Sequence, residues 1–95
     1  MPISQTVTFA ITGVLRKDCG GVSEFALAAG DVQAALLEVE ERYPALHRNL
    51  CEETGAVRRH IALFVNTDHI RDREGLATPL LPGDVLVALP AVSGG

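Results

Sequence analysis

Apolar and polar residues alternate along the first part of the chain, from Thr6 to Leu15. The apolar members of this alternation are Val7, Phe9, Ile11 and Leu15. A period of two residues is typical of a strand that buries one face, so a strand is predicted here. The run Arg16–Gly21 is rich in turn-forming residues, and Val22–Leu27 is predicted to pair back as the second strand of a hairpin.

Apolar residues then recur at the spacing of an amphipathic helix. Asp31 is predicted to cap the N-terminus of this helix, because its carboxylate can accept hydrogen bonds from the first backbone amides. The helix is expected to continue to about Tyr43, where Pro44 ends it. A short helical turn is predicted over Ala45–Leu50, followed by a polar loop from Cys51 to Arg59.

The second half of the chain predicts further strands. Ile61–Val65 is a compact apolar strand, and the turn after it leads to a short edge strand at His69–Arg71. A turn at Pro82–Asp84 precedes the last strand, Val85–Leu89. The chain is therefore predicted to be an α+β domain with a mixed four- to five-stranded sheet and one main helix packed on one face.

Both faces of the last two long strands are apolar. Leu86 and Ala88 share one face of the last strand, whereas Val87 and Leu89 share the other. In the strand Ile61–Val65, Phe64 points to the face opposite to that of Ile61, Leu63 and Val65. One helix covers one face only, so Phe64, Val87 and Leu89 are predicted to form an exposed docking patch for a partner. Cover of this patch by loops is an equally weighted alternative.

Composition narrows the class of protein. A chain of 95 residues predicts one small domain, and its net charge of -4 argues against a nucleic-acid partner. No apolar run has the length of a membrane span, and the N-terminal residues lack a charged leader or signal core, so a cytoplasmic location is expected. Cys19 and Cys51 fit no metal-binding spacing and are interpreted as free thiols. The histidines also lack metal-ligand spacing, so no metal site is predicted.

The chain ends in Gly94-Gly95. Pro90 has no N–H to donate to a sheet, so residues 1–89 are predicted to form the domain and residues 90–95 a flexible tail. An extended tail of this length reaches roughly 20 Å, which is enough to enter the active site of another protein. A frayed terminus or an expression-linker remnant is the alternative.

The order of strands and helix, the segment Pro82–Asp84 and the ending Leu89–Gly95 resemble the ubiquitin-like β-grasp sulfur carriers, which include MoaD, ThiS and CysO. The CysO-like branch is the most similar one. The segments that carry this similarity are Leu15-Arg16 with Gly20-Gly21, Val65-Asn66 with Ile70-Arg71, Gly75–Thr78, and Leu89–Val92 ahead of Gly94-Gly95. Ser93 is also common in MoaD-type tails, so the small subunit of molybdopterin synthase stays an alternative.

The resemblance implies a function in which this chain is a co-substrate and not an enzyme. An E1-like enzyme would use ATP to adenylate Gly95, and a sulfur donor would then convert it to a thiocarboxylate. Gly94 would keep that end unhindered, and the inserting tail would consist of Pro90, Ala91, Val92 and Ser93.

The downstream partners implied for the CysO-like branch are a pyridoxal-phosphate cysteine synthase and a zinc metallopeptidase. The chain itself would bind no cofactor and would be a monomer. Two other functions stay open: a ubiquitin-like modifier joined to lysines of target proteins, and a plain interaction module.

Overall fold

The computed structural model describes residues 6–90, apart from the side chains of Val14, Asp18 and Cys19. The strands are β1 (Thr6–Ile11), β2 (Glu24–Ala28), β3 (Ile61–Val65), β4 (Asp68–His69) and β5 (Val85–Pro90). The helices α1 (Val32–Arg42) and α2 (Pro44–Leu50) lie between β2 and β3. Three 3-10 helices complete the fold, at Gly13–Cys19, Ile70–Asp72 and Gly75–Ala77.

The five strands form one mixed sheet in the order β2-β1-β5-β3-β4. The central strand β5 is parallel to β1 and antiparallel to β3, and the two outer pairings are antiparallel. The predicted α+β fold with a mixed five-stranded sheet is therefore confirmed.

The core lies between the sheet and the two helices. Alternate residues of every long strand point into it, and α1 contributes an apolar stripe. The buried residues of the sheet and α1 include Val7, Phe9, Ile11, Leu27, Ile61, Leu63, Val65, Leu86, Ala88, Val32, Ala35, Leu36 and Val39. Helix α2 adds Leu46 and Leu50, which are fully buried. Full burial of one such leucine stabilises the fold by about 2 kcal/mol, so α2 belongs to the core and is more than a connection.

The N-terminus of α1 is capped as the sequence predicts, and its C-terminus is held by a contact that the sequence did not predict. The N–H of Ala34 donates to Oδ1 of Asp31 at 2.8 Å, which satisfies one of the amides that a helix start leaves without a partner. At the other end, Nη1 of Arg42 donates to the carbonyl of Ala26 at 2.6 Å. Its guanidinium carbon also lies 5.4 Å from the centre of the Phe25 ring. The last turn of α1 is thereby tied to β2.

The first hairpin differs from its prediction. Strand β1 ends at Ile11, and Leu15 lies in the 3-10 helix Gly13–Cys19 although it was expected to be in the strand. Gly13 has a φ of 62°, a conformation that favours glycine and breaks an extended strand. Leu15 is still buried. The alternation of apolar residues therefore predicted its burial correctly, but it did not predict its secondary structure. The run Arg16–Gly21 is thus mostly helical, and β2 begins at Glu24.

The edge strand β4 is shorter and begins earlier than predicted. Asp68 and His69 pair with Val65 and Phe64, whereas Ile70–Asp72 forms a 3-10 helix instead of continuing the strand. Nδ1 of His69 accepts a hydrogen bond from the N–H of Arg71 at 3.1 Å. This cap turns the chain away from the sheet.

Pro90 is the last residue of β5 and pairs with Ile61, so the strand extends one residue beyond the predicted boundary at Leu89. The N–H of Asn66 donates to the carbonyl of Val85 at 2.7 Å, which makes this a hydrogen-bonded pair. Because such pairs alternate, the pair of Ile61 and Pro90 is a non-hydrogen-bonded one. The missing N–H of Pro90 therefore costs no bond to β3.

Within residues 6–90, no helix has both the length and the apolar character needed to cross a bilayer.

Candidate functional site

The candidate site is the face of the sheet that points away from the helices, here called the open face. On β5, Leu86 and Ala88 are fully buried against the helices, whereas Val87 and Leu89 point to the open face and stay partly exposed. This is the division that the sequence predicted.

The three residues predicted as the docking patch come together on the open face. Phe64 and Val87 are directly opposite each other in the β3–β5 ladder, and Leu89 lies opposite Ala62 one step further along the same two strands. The Phe64 ring also meets the edge of the His69 ring, with 5.1 Å between ring centres. Phe64, Val87 and Leu89 all keep part of their surface in solvent. We call these three residues the docking patch.

The rest of the open face has a different character. The side chains that β1 and β2 present there are small or polar: Thr6, Thr8, Ala10, Glu24, Ala26 and Ala28. The large apolar side chains are thus confined to the half formed by β5 and β3. Leu89 directly precedes Pro90, the last described residue, so the docking patch lies next to the predicted tail along the chain.

The other predicted site residues are Ala91, Val92, Ser93, Gly94 and Gly95, and they lie outside the described residues. Pro90 is the exception, because it is fixed in β5 by its pairing with Ile61. The structure therefore places Pro90 in the sheet, and the role of residues 91–95 as an inserting tail stays a prediction.

Cys51 is a free, buried thiol at the end of α2. Burial raises the pKa of this thiol above its ordinary value, the nearby carboxylate of Glu40 raises it further, and Arg58 opposes the shift. A protonated thiol without solvent access is a poor nucleophile. The interpretation of Cys51 as a free thiol is confirmed, and the side chain of Cys19 lies outside the described residues.

Among the side chains that the structure describes, which exclude those of Asp18 and Cys19, no group of three or more His, Cys, Asp or Glu residues is close enough together to hold a metal ion. The histidines occupy separate places: His47 lies in α2, and His69 contacts Phe64 at the sheet edge. The loop arginine Arg58 has a structural role, because its Nε donates to the carbonyl of Arg48 at 2.8 Å.

One surface feature was missed from the sequence. A groove of about 450 Å³ lies beside the edge of β3. It is lined by the loop around Val57, by β3, and by the segment from His69 to Leu76. These parts are distant along the chain and carry no shared motif, so only the folded structure brings them together.

The β-grasp sheet, with an apolar half-face that leads to the end of its central strand, defines a ubiquitin-like protein. The model of the ThiS family matches residues 17–95, which is most of the chain. The chain belongs to the ThiS family.

Known relatives agree with this assignment over their full length. The sulfur carrier protein CysO of Mycobacterium tuberculosis is 31% identical over 93 residues, which covers 96% of this chain and 100% of CysO. The crystal structure of the Amycolatopsis orientalis BexX/CysO complex matches with a TM-score of 0.84 and 32% identity, over 94% of this chain and 99% of that one. The small archaeal modifier protein SAMP1 of Methanosarcina acetivorans matches with a TM-score of 0.85 and 30% identity, over 99% and 100% of the two chains. The resemblance to CysO-like sulfur carriers that the sequence indicated is confirmed.

Proposed function

We propose that this chain carries sulfur as a thiocarboxylate on Gly95. The observation that carries the proposal is the similarity to CysO, which spans the whole of that sulfur carrier protein. The match to the ThiS family also extends through Gly95.

The proposed reaction starts from a carboxylate, which is a poor electrophile. An E1-like partner uses ATP to convert the Gly95 carboxylate to an acyl adenylate, with release of pyrophosphate. Sulfide then attacks the acyl carbon, and the new carbon–sulfur bond forms as the bond to AMP breaks, which leaves the thiocarboxylate. Gly94 and Gly95 suit this chemistry because residues without side chains can pass through a narrow channel and adopt conformations closed to other residues.

The docking patch is the proposed contact with the activating enzyme. Two features support it: Phe64 and Val87 are adjacent across the β3–β5 ladder, and both stay partly exposed. Leu89 continues the patch to Pro90, from which the segment Ala91–Gly95 would reach into the partner's active site. The fixed Pro90 would set the direction in which this segment leaves the sheet.

We further propose which enzyme accepts the sulfur. Similarity to CysO supports a pyridoxal-phosphate cysteine synthase as the acceptor enzyme, with a zinc metallopeptidase releasing the product. In this scheme ATP, pyridoxal phosphate and zinc belong to the partners, and the present chain is a substrate of each. The MoaD-type role stays the alternative acceptor pathway.

Intact mass spectrometry tests the proposal. The purified chain is incubated with ATP, sulfide and its cognate activating enzyme, and the expected result is a mass gain that corresponds to replacement of one oxygen by sulfur. A variant with one alanine added after Gly95 should fold as before but stay unloaded, because its terminal carboxylate is displaced. Loading of this extended variant to the same level would contradict the proposal.

A second candidate function is protein modification, which the similarity to SAMP1 favours. A modifier would form an isopeptide bond between Gly95 and a lysine of a target protein. Peptide mapping of cell lysate would then find lysines that carry the terminal residues of this chain. A carrier cycles between carboxylate and thiocarboxylate and leaves no such conjugates.

A further inference from the structure

The two edges of the sheet differ in how they are protected. The backbone groups on the outer side of an edge strand have no partner in the sheet and can pair with a strand of another molecule. At one edge, β4 contains two residues only, and the chain then turns away into the 3-10 helix Ile70–Asp72. At the other edge, β2 is five residues long and pairs with β1 alone among the described strands. The outer side of β2 is therefore the longer of the two edges.

The backbone groups on this outer side belong to alternate residues of β2. The N–H of Ile11 donates to the carbonyl of Ser23 at 2.9 Å, which makes these two residues a hydrogen-bonded pair at the end of the β1–β2 ladder. Because the two kinds of pair alternate along an antiparallel ladder, Glu24, Ala26 and Ala28 direct their N–H and C=O groups away from β1. All three residues are exposed, and the two alanines offer no steric obstacle to a neighbouring strand.

Arg42, the last residue of α1, closes the middle of this edge. Its Nη1 donates to the carbonyl of Ala26, which is one of the outward-directed groups. Its guanidinium carbon lies 5.4 Å from the centre of the Phe25 ring and 5.7 Å from that of the Tyr43 ring. No carboxylate among the described residues forms an ion pair with Arg42, so the carbonyl and the two rings are what orient it. The guanidinium group thus occupies the acceptor that a strand added at Ala26 would need.

We propose that Arg42 keeps the chain monomeric by preventing β2 from pairing with β2 of a second copy. Two copies related by a two-fold axis at Ala26 would pair antiparallel, with the outward groups of each strand meeting those of the other. This register overlaps the whole of both strands and places Glu24 of each copy opposite Ala28 of the other. An axis at Glu24 would instead place two carboxylates opposite each other, which is unfavourable. The proposal does not depend on the sulfur chemistry of Gly95.

Removal of the guanidinium group tests the proposal on the full-length chain. Sedimentation equilibrium should give the mass of one chain for the wild type at every concentration. For Arg42→Ala it should give a reversible rise towards the mass of two chains as the concentration increases. Arg48→Ala is the matched control, because it removes the same charge from an exposed arginine of α2, and it should stay monomeric. A monomeric Arg42→Ala, a self-associating wild type, or equal association of Arg48→Ala would overturn the proposal.

A second variant guards against loss of the fold. Arg42→Met keeps an unbranched side chain that can pack on the Phe25 and Tyr43 rings, but it cannot donate to the carbonyl of Ala26. It should retain the urea denaturation midpoint of the wild type more closely than Arg42→Ala and should still associate. A folded, monomeric Arg42→Met would show that the hydrogen bond to Ala26 does not block the edge, and this would overturn the proposal.

Charge at Ala28 tests the predicted register. In the Arg42→Ala background, Ala28→Lys would face Glu24 of the second copy with the opposite charge, whereas Ala28→Glu would face it with the same charge. Ala28 is exposed, so neither substitution disturbs the core. The dimer of the lysine variant should dissociate with a Kd at least about tenfold lower than that of the glutamate variant. Equal dissociation constants would overturn pairing of β2 with β2.

Amide hydrogen exchange locates the surface through which the copies associate. In the Arg42→Ala dimer, the N–H groups of Ala26 and Ala28 become hydrogen-bonded, and their exchange should slow at least about tenfold relative to the monomeric wild type. The amides of β4 should exchange as in the wild type. Association without protection of Ala26 and Ala28, or aggregates without a defined mass, would assign the association to another surface and overturn the proposal.

Discussion

The substitution Phe64→Ala separates docking from folding. Phe64 lies on the open face, where its ring contacts His69 and stands opposite Val87. Truncation of a fully buried phenylalanine costs about 3 to 5 kcal/mol. Because the ring of Phe64 is only partly buried, we expect its removal to lower the free energy of unfolding by about 1 kcal/mol.

The effect on partner binding should be larger. Truncation of an aromatic anchor at the centre of an interface costs about 2 kcal/mol or more. At 1.4 kcal/mol for each factor of ten, this corresponds to a rise of about 30-fold in the KM of the activating enzyme for the carrier. The kcat should stay within about twofold, since the reacting carboxylate of Gly95 is unchanged.

The assay is the rate of pyrophosphate release by the activating enzyme, measured over a range of carrier concentrations. Leu37→Ala is the matched control, because Leu37 is an apolar residue of α1 that is 56% exposed and lies away from the open face. Its KM should equal that of the wild type, and urea denaturation of both variants should confirm that they are folded. An unchanged KM for Phe64→Ala, or an equal rise for Leu37→Ala, would refute the assignment of the docking patch.

Three further predictions concern stability, each measured by urea denaturation. Asp31→Ala removes the carboxylate that accepts the N–H of Ala34 and should cost about 1 kcal/mol, while Asp31→Ser, which restores a capping oxygen, should recover most of it. Leu46→Ala empties a fully buried position of α2 and should cost about 3 kcal/mol; a loss below about 1 kcal/mol would mean that α2 is not part of the core. Burial holds the pKa of Cys51 above its ordinary value of 9.0, so the unfolded chain loses this proton first as the pH rises. Wild-type stability should therefore fall more steeply above about pH 9 than that of Cys51→Ala, and parallel curves would contradict this.

Most elements of the fold could be predicted from local patterns. The span of α1 follows from the cap at Asp31 and from Pro44, which stops one helix and begins the next. Strand β3 follows from its apolar run, and the start of β5 follows from the turn before it. In these segments the spacing of apolar side chains and the residues that end helices or strands agree with the structure. Such agreement is typical of elements whose local preferences match their tertiary surroundings.

The sequence-based predictions failed where two backbone conformations are compatible with the same pattern of residues. Leu15 continues the alternation of β1, yet it reaches the core from a 3-10 helix because Gly13 turns the backbone first. Pro90 was expected to lie beyond the sheet, but it forms a non-hydrogen-bonded pair with Ile61, so β3 needs no N–H from it. Which pairs are hydrogen-bonded depends on the pairing of segments that are distant along the chain, so no local rule could predict this.

The sequence by itself determined which residues of β5 share a face, because alternation along a strand fixes the two faces. It also indicated the family, through the tail that ends in Gly94-Gly95 and the motifs before it. Only the tertiary structure decided that Phe64 lies directly opposite Val87, since ladder register depends on how whole strands pair. The groove beside β3 likewise exists only in the folded chain, because its lining comes from β3, the loop around Val57 and the segment from His69 to Leu76, which are distant along the chain.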